Sequence, residues 1–152
     1  MAKYVGKDAK VTIGANTIVA MGNWTVNGIS TAELDASSFG DQWMTYLYGM
    51  KDGGTVTFSG HADLTDTTGQ QICLAANVKN SALPDLRFYL NNTSYFVPNQ
   101  TTDYFAPAAL STGMGTPGLC SVNITQWNIN ADKGGIVPIS FTARVNGCMA
   151  VV

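Results

Sequence analysis

Residue types able to do acid–base, nucleophilic or metal chemistry are few and scattered in this chain. His61 is the single histidine, so a Ser-His-Asp arrangement would have to use it. Its neighbours Gly60 and Ala62 build no nucleophile elbow, and no Gly-x-Ser-x-Gly occurs. It follows the strand-like run Thr55 to Ser59, which marks it as a strand-end side chain. Glu33, Asp35 and Asp41 are close in sequence and have the composition of a carboxylate pair. The same charges serve as solvated groups, or as salt-bridge partners of Lys3, Lys7 or Arg87 in another copy. Cys73, Cys120 and Cys148 are far apart and odd in number, with no metal or redox spacing, so buried reduced thiols are expected. Gly22 to Gly28 lacks the spacing and the Lys-Thr of a phosphate loop. The residues predict no catalytic group, no metal and no cofactor.

Binding chemistry is concentrated in one stretch. Phe39, Asp41, Trp43, Met44, Tyr46, Leu47, Tyr48 and Met50 fall between Ser38 and the Gly53-Gly54 pair, with Gly40 and Gly49 inside. The glycines are turn and helix-stop signals, and the run shows no clean strand alternation. Three readings fit it. Gln42 to Tyr48 forms a short helix capped by Asp41 and stopped by Gly49; or the run is an ordinary strand pair of the core; or it is a projecting arm at about 33–54, buried only against another copy. Such an arm is expected to be loose in a single molecule and ordered on assembly.

The elements around it read as β-rich. At 152 residues one domain with a real core is expected. Charged residues make up 12%, about half the usual share, while 45% are hydrophobic and the formal charge is −2. Polar surface must then be made of amides and hydroxyls, and weak charge repulsion suits a protein that polymerises. With no basic run, sequence-specific reading of nucleic acid is excluded as a class. The first residues contain no apolar segment, so neither a signal peptide nor a membrane span is expected.

Along the chain, Lys10 to Ile13 and Thr17 to Ala20 flank Gly14-Ala15-Asn16 as a hairpin. Trp24 to Asn27 alternates as a strand. Thr55 to Ser59 puts Val56 and Phe58 on one face and Thr55, Thr57 and Ser59 on the other. Leu64 to Gln71 supplies helix-start chemistry and Lys79-Asn80 a helix end, which predicts one helix of about three turns, with Thr68 and Gln71 as a capping box and Ile72, Ala75 and Ala76 on a shared face. A second hairpin turns at Asn91-Asn92-Thr93, and Pro98 to Gly118 reads as an irregular loop. In Ser121 to Asn130, Val122 and Ile124 have one parity and Trp127 and Ile129 the other, which predicts a bulge near Thr125-Gln126. Val137 to Val145 alternates against Pro138, Ser140, Thr142 and Arg144; Pro138 suggests a strand beginning beside an edge or bulge. The tail Cys148 to Val152 is expected to dock.

Three segments in order, Ala36-Ser37-Ser38-Phe39-Gly40-Asp41, Gly49-Met50-Lys51-Asp52-Gly53 and Thr55-Val56-Thr57-Phe58-Ser59-Gly60, resemble the tail tube (major tail) proteins of long-tailed bacteriophages. Tyr48 stands where that family commonly has Pro. The resemblance implies an antiparallel β-sandwich or curled sheet with one flanking helix and a long projecting arm. It implies hexameric rings stacked into a hollow tube, in the virion tail after assembly in the host cytoplasm. Implied partners are further copies, a tape measure protein, tail terminator and tail-tip proteins, and double-stranded DNA passing without specific binding. The arm would clamp the next ring and the N-terminal segment would reach a neighbour. Thr55, Thr57, Ser59, Ser140 and Thr142 would face the lumen, with Asp63 or another acid repelling phosphates and Arg144 paired to a carboxylate. A different class, a carbohydrate-binding β-sandwich stacking sugars on Trp43, Tyr46 and Tyr48, is the alternative.

Overall fold

Alternation of apolar and hydroxyl residues decides the centre of the molecule. The computed structural model describes residues 3–98, 120–147 and 149–151. Strands β1 (Lys10–Ile13), β2 (Asn16–Thr17), β3 (Met21–Asn27), β4 (Ser30–Asp35), β5 (Tyr46–Asp52) and β6 (Thr55–His61) come first. Helix α1 (Gln70–Lys79) follows, then β7 (Ala82–Leu83), β8 (Leu86–Tyr89), β9 (Tyr95–Pro98), β10 (Ser121–Ile129), β11 (Pro138–Asn146) and β12 (Met149–Val151). One sheet has the order β12-β9-β8-β1-β2 and a second the order β3-β6-β11-β10-β7. Among the described residues, strands β4 and β5 pair only with each other. All the pairings are antiparallel.

The two sheets share one core. Phe58 and Phe141 stack side by side within the second sheet, centroids 5.0 Å apart, and Phe88 of the first sheet meets Phe58 at 5.8 Å. All three are fully buried, and each such side chain contributes roughly 1.5–3 kcal/mol by leaving water. Trp24 closes one side against Phe88 and Phe96, and its indole N–H donates to Tyr89 O at 3.1 Å. Trp24 is half-buried, with its apolar rings against the core and its N–H satisfied.

Both expected hairpins form, the first through Gly14 at φ +60° with a returning strand of Asn16–Thr17 rather than Thr17 to Ala20, because Val19 N–H goes to Asp66, the second around Asn91, whose Oδ1 accepts from Thr93 and Ser94 N–H. The bulge in β10 lies between Ile124 and Gln126, and it puts Val122, Ile124, Trp127 and Ile129 on one face. Pro138 is neither at an edge nor beside a bulge: β11 is a central strand between β6 and β10. Pro is tolerated because it is the first residue. Met149–Val151 docks on β9, and Met149 is buried. The expected loop after Pro98 lies outside the described residues, as does Cys148.

The helix begins without the expected capping box. Gly69 is the N-cap with no side-chain cap bond, and Thr68 turns its hydroxyl to Asp66. Asp66 Oδ2 instead accepts from Gln70 N–H and, across the fold, from Val19 N–H. Buried Gln70 then donates to Val19 O and His61 O and accepts from Asp63 N–H. This amide therefore joins three chain segments. Gln70, Cys73 and Ala76 form the buried stripe, whereas Ala75 is exposed. Asn77 Nδ2 donates to Ile124 O at 3.0 Å and anchors the helix to β10. Asn80 ends it in the left-handed conformation, φ 52°.

Candidate functional site

The aromatic stretch is a two-stranded ribbon standing off the sandwich. Neither the short helix over Gln42 to Tyr48 nor a core strand pair is formed, because Tyr46, Leu47 and Tyr48 give their backbone to pairing with Asp35, Leu34 and Glu33. Paired strands begin at Ser30 and end at Asp52. Where the ribbon leaves the sandwich, Gly28 and Gly54 hold φ of +75° and +89°. A Cβ on Gly54 would lie 2.4 Å from Asn27 O, so only glycine fits that crossing.

The far end is closed by local hydrogen bonds. Ala36 N–H donates to Thr45 O, Thr45 N–H to Ser37 Oγ, and Ser38 N–H to Asp41 Oδ2 at 2.6 Å. Asp35 accepts from Ser37 N–H, which holds its carboxyl below the ordinary value. Asp35 and Asp41 are thus turn formers, while Glu33 sits mid-strand opposite Tyr48.

Register assigns the ribbon's faces, since antiparallel partners point the same way. Leu34 and Leu47 share one side; Glu33, Asp35, Tyr46 and Tyr48 share the other. Little of this is covered. Phe39 is fully exposed, Met50 is 90% exposed and Trp43 83%, while Met44, Leu47 and Tyr48 are also exposed. Tyr46 is the least so, its hydroxyl directed to Met44 Sδ.

A second surface is assembled by the strand order. Thr55, Thr57 and Ser59 pair with Arg144, Thr142 and Ser140, so the five expected hydroxyl residues do share one sheet face. On one flank stand Asn23, Thr25 and Asn27 of β3, on the other Asn123, Gln126 and Asn128 of β10. These amides were not singled out from the sequence, although Asn23 and Thr25 alternate with Trp24 and Val26. Ser59 Oγ donates to Asn23 Oδ1 at 2.7 Å. Among the described strand residues of this face, Arg144 is the one formal charge, and it pairs with Asp52 at the ribbon's root. Asp63 is not on the face: it lies in the loop after β6, accepting from Thr65.

The remaining candidates are dispersed. His61 ends β6 and lines a surface groove of about 370 Å³ whose described lining holds no Asp, Glu or Cys. Cys73 and Cys120 are buried; burial, then the charge of Asp66, pushes the Cys73 thiol up to about 12. Arg87 is held by Asp85 of its own chain at 2.9 Å, which raises its pKa and occupies it. Lys10 sits over the Tyr89 ring. Among the described residues no cluster of His, Cys, Asp or Glu could hold a metal, and no helix is long and apolar enough to cross a membrane.

No family model and no curated protein matches the chain. Solved structures do. A chain from the tail of an empty gene transfer agent particle, determined with C6 symmetry, superposes with TM-score 0.70 at 11% identity, covering 99% of both chains. One from the virion of a native gene transfer agent particle gives 0.64 at 13% identity, again over 99% of both. One from the tube-terminating cap of the anti-feeding prophage gives 0.53 at 13% identity, over 100% of this chain and 92% of the other. With two antiparallel sheets, one flanking helix and full-length superposition on these tail and tube components, the chain has the tail tube fold.

Proposed function

We propose that this chain is the structural subunit of a phage-type tail tube, forming hexameric rings that stack into a DNA-conducting channel. The observation that carries this reading is the ribbon. Its backbone is hydrogen-bonded, yet Phe39, Trp43, Tyr48 and Met50 lie open to water. Large exposed apolar surface on one molecule marks a contact with another. The ribbon's position off both sheets leaves its sides available to a second copy, as a clamp on the next ring. The superposition on a tail with C6 symmetry supports six copies per ring.

The polar face of β3, β6, β11 and β10 supplies the channel wall. Thr55, Thr57, Ser59, Ser140 and Thr142 with their amide neighbours offer hydrogen bonds but almost no net charge. Tight, salt-dependent DNA binding comes from phosphate neutralisation by cations. A wall of hydroxyls and amides lets the duplex slide. Tape measure, terminator and tip proteins are the further partners of such a tube, in the virion tail after assembly in the host cytoplasm.

Electron microscopy of concentrated protein tests the proposal. Wild type forms tubes; Trp43→Ala stays folded but gives rings or single subunits. Tubes of normal length in Trp43→Ala refute the clamp. The exposed rings also have the form of a sugar-stacking platform. Binding of the wild type to an immobilised glycan panel, lost in the same variant and without tubes, would establish that reading instead.

A further inference from the structure

Arg144 is out of place on its face. Thr55, Asn123 and Thr142 surround it with neutral groups. A guanidinium is the side chain best shaped for phosphate, because its planar fork matches two oxygens at once. A carboxylate presents the same two-oxygen geometry. Here Asp52 reaches from the end of β5 and places Oδ2 at 2.5 Å from Arg144 Nη2.

We propose that Asp52 is an internal stand-in for phosphate, occupying Arg144 so that a passing DNA backbone finds no free cation on the sheet face. The proposal rests on reading that face as the channel wall. Both partners are held in place by the fold. Arg144 is fixed by the central strand, and Asp52 by its Oδ1, which accepts Gly54 N–H at 2.9 Å. The two side chains are 56% and 40% exposed, and an ion pair that open adds little to stability. Its effect on the local field is larger. A groove of about 730 Å³ beside the pair, lined by Met50, Lys51, Asn123 and Thr125, gives a phosphate room to approach. Lys51, the other cation there, directs Nζ to Thr31 Oγ1. Repeated through a tube, an unmasked Arg144 in every subunit would add one counterion-releasing contact per copy.

Asp52→Asn tests this, because the amide oxygen still accepts Gly54 N–H while the charge is gone. The measurement is made on dilute, unassembled subunits, whose sheet face is open to DNA: retention on DNA-cellulose at low salt, and anisotropy of a labelled duplex across a salt series. Wild type is unretained. Asp52→Asn is retained, and its log K against log salt is steeper by about 0.9. The double variant Asp52→Asn with Arg144→Gln returns to wild-type behaviour. Asp52→Ser, also uncharged but with an oxygen acceptor, gives the same result if the amide disturbs the turn. Equal DNA binding by wild type and both folded Asp52 variants overturns the proposal, as does retention that survives Arg144→Gln. The channel reading is judged separately by microscopy of the wild type: tubes without the retention effect sink the mask alone, and retention through Arg144 without tubes sinks the channel alone.

Discussion

Two tryptophans define the contrast between the sandwich and the ribbon. Trp24 and Trp43 both have polar and apolar neighbours in sequence, Asn23, Thr25 and Val26 beside the one and Gln42, Met44 and Thr45 beside the other. Trp24 is packed against Phe88 and Phe96 with its N–H on Tyr89 O. Trp43 stands 83% exposed. Local composition does not separate them. The difference is that β3 has a partner sheet above its inner face, whereas the ribbon has only its own two strands. A two-stranded ribbon can satisfy its inner backbone ladder but has no second layer to cover its side chains. The sandwich covers its apolar side chains within one molecule, and the ribbon leaves Phe39, Trp43 and Met50 uncovered.

Substitutions can break this contrast, and the largest effect belongs to the sandwich. Phe58→Ala should cost about 3–5 kcal/mol, since it empties the centre of the Phe58, Phe88 and Phe141 cluster. Denaturant melts of the dispersed subunit read this directly; a loss within 1 kcal/mol or so would mean the core is not where the packing puts it. Gln70→Ala should cost about 1–3 kcal/mol by orphaning Val19 O, His61 O and Asp63 N–H. Hydrogen exchange should then quicken at the start of the helix before it does in β11.

Cys73 gives a smaller, pH-dependent effect. Its thiol is raised from an ordinary 9.0 to about 12, by burial first and Asp66 second. The folded chain thus holds this proton more tightly than the unfolded one. Its share of stability is full below pH 9.0 and is lost as pH rises towards about 12. Comparing alkaline melts of the wild type and Cys73→Ala checks the sign: the wild type should lose stability more steeply above pH 9.0. The smallest effect on the subunit is expected on the ribbon. Trp43→Ala should leave its melting free energy within about 0.5 kcal/mol of wild type. A loss comparable to that of Phe58→Ala would mean the ribbon is folded back on its own sandwich.

Much of the sandwich was legible in the sequence because a strand's faces follow from a period of two. Val56 and Phe58 against Thr55, Thr57 and Ser59, the parity change at Thr125-Gln126, and both hairpin turns are local patterns. The single helix was legible too, but its start was misread. Thr68 and Gln71 have capping-box spacing, yet the orphan N–H goes to Asp66, which Val19 holds from 47 positions away. The aromatic stretch could be placed as unusual but not shaped, since the choice of strand over helix rests on its pairing with Glu33 and Leu34, and its exposure on the absence of a covering layer.

The chain's own order of residues thus determined which side chains share a strand face, where the turns fall, and that polar surface would be amide and hydroxyl rather than charge. Tertiary structure alone decided that β3, β6, β11 and β10 lie side by side, turning separate alternations into one polar sheet face. It alone lifted the ribbon off the sheets through Gly28 and Gly54 and brought Asp52 to Arg144, 92 positions away. The physical reason is range: faces are set by neighbouring dihedrals, whereas strand neighbours are set by which distant segments bury each other's apolar side.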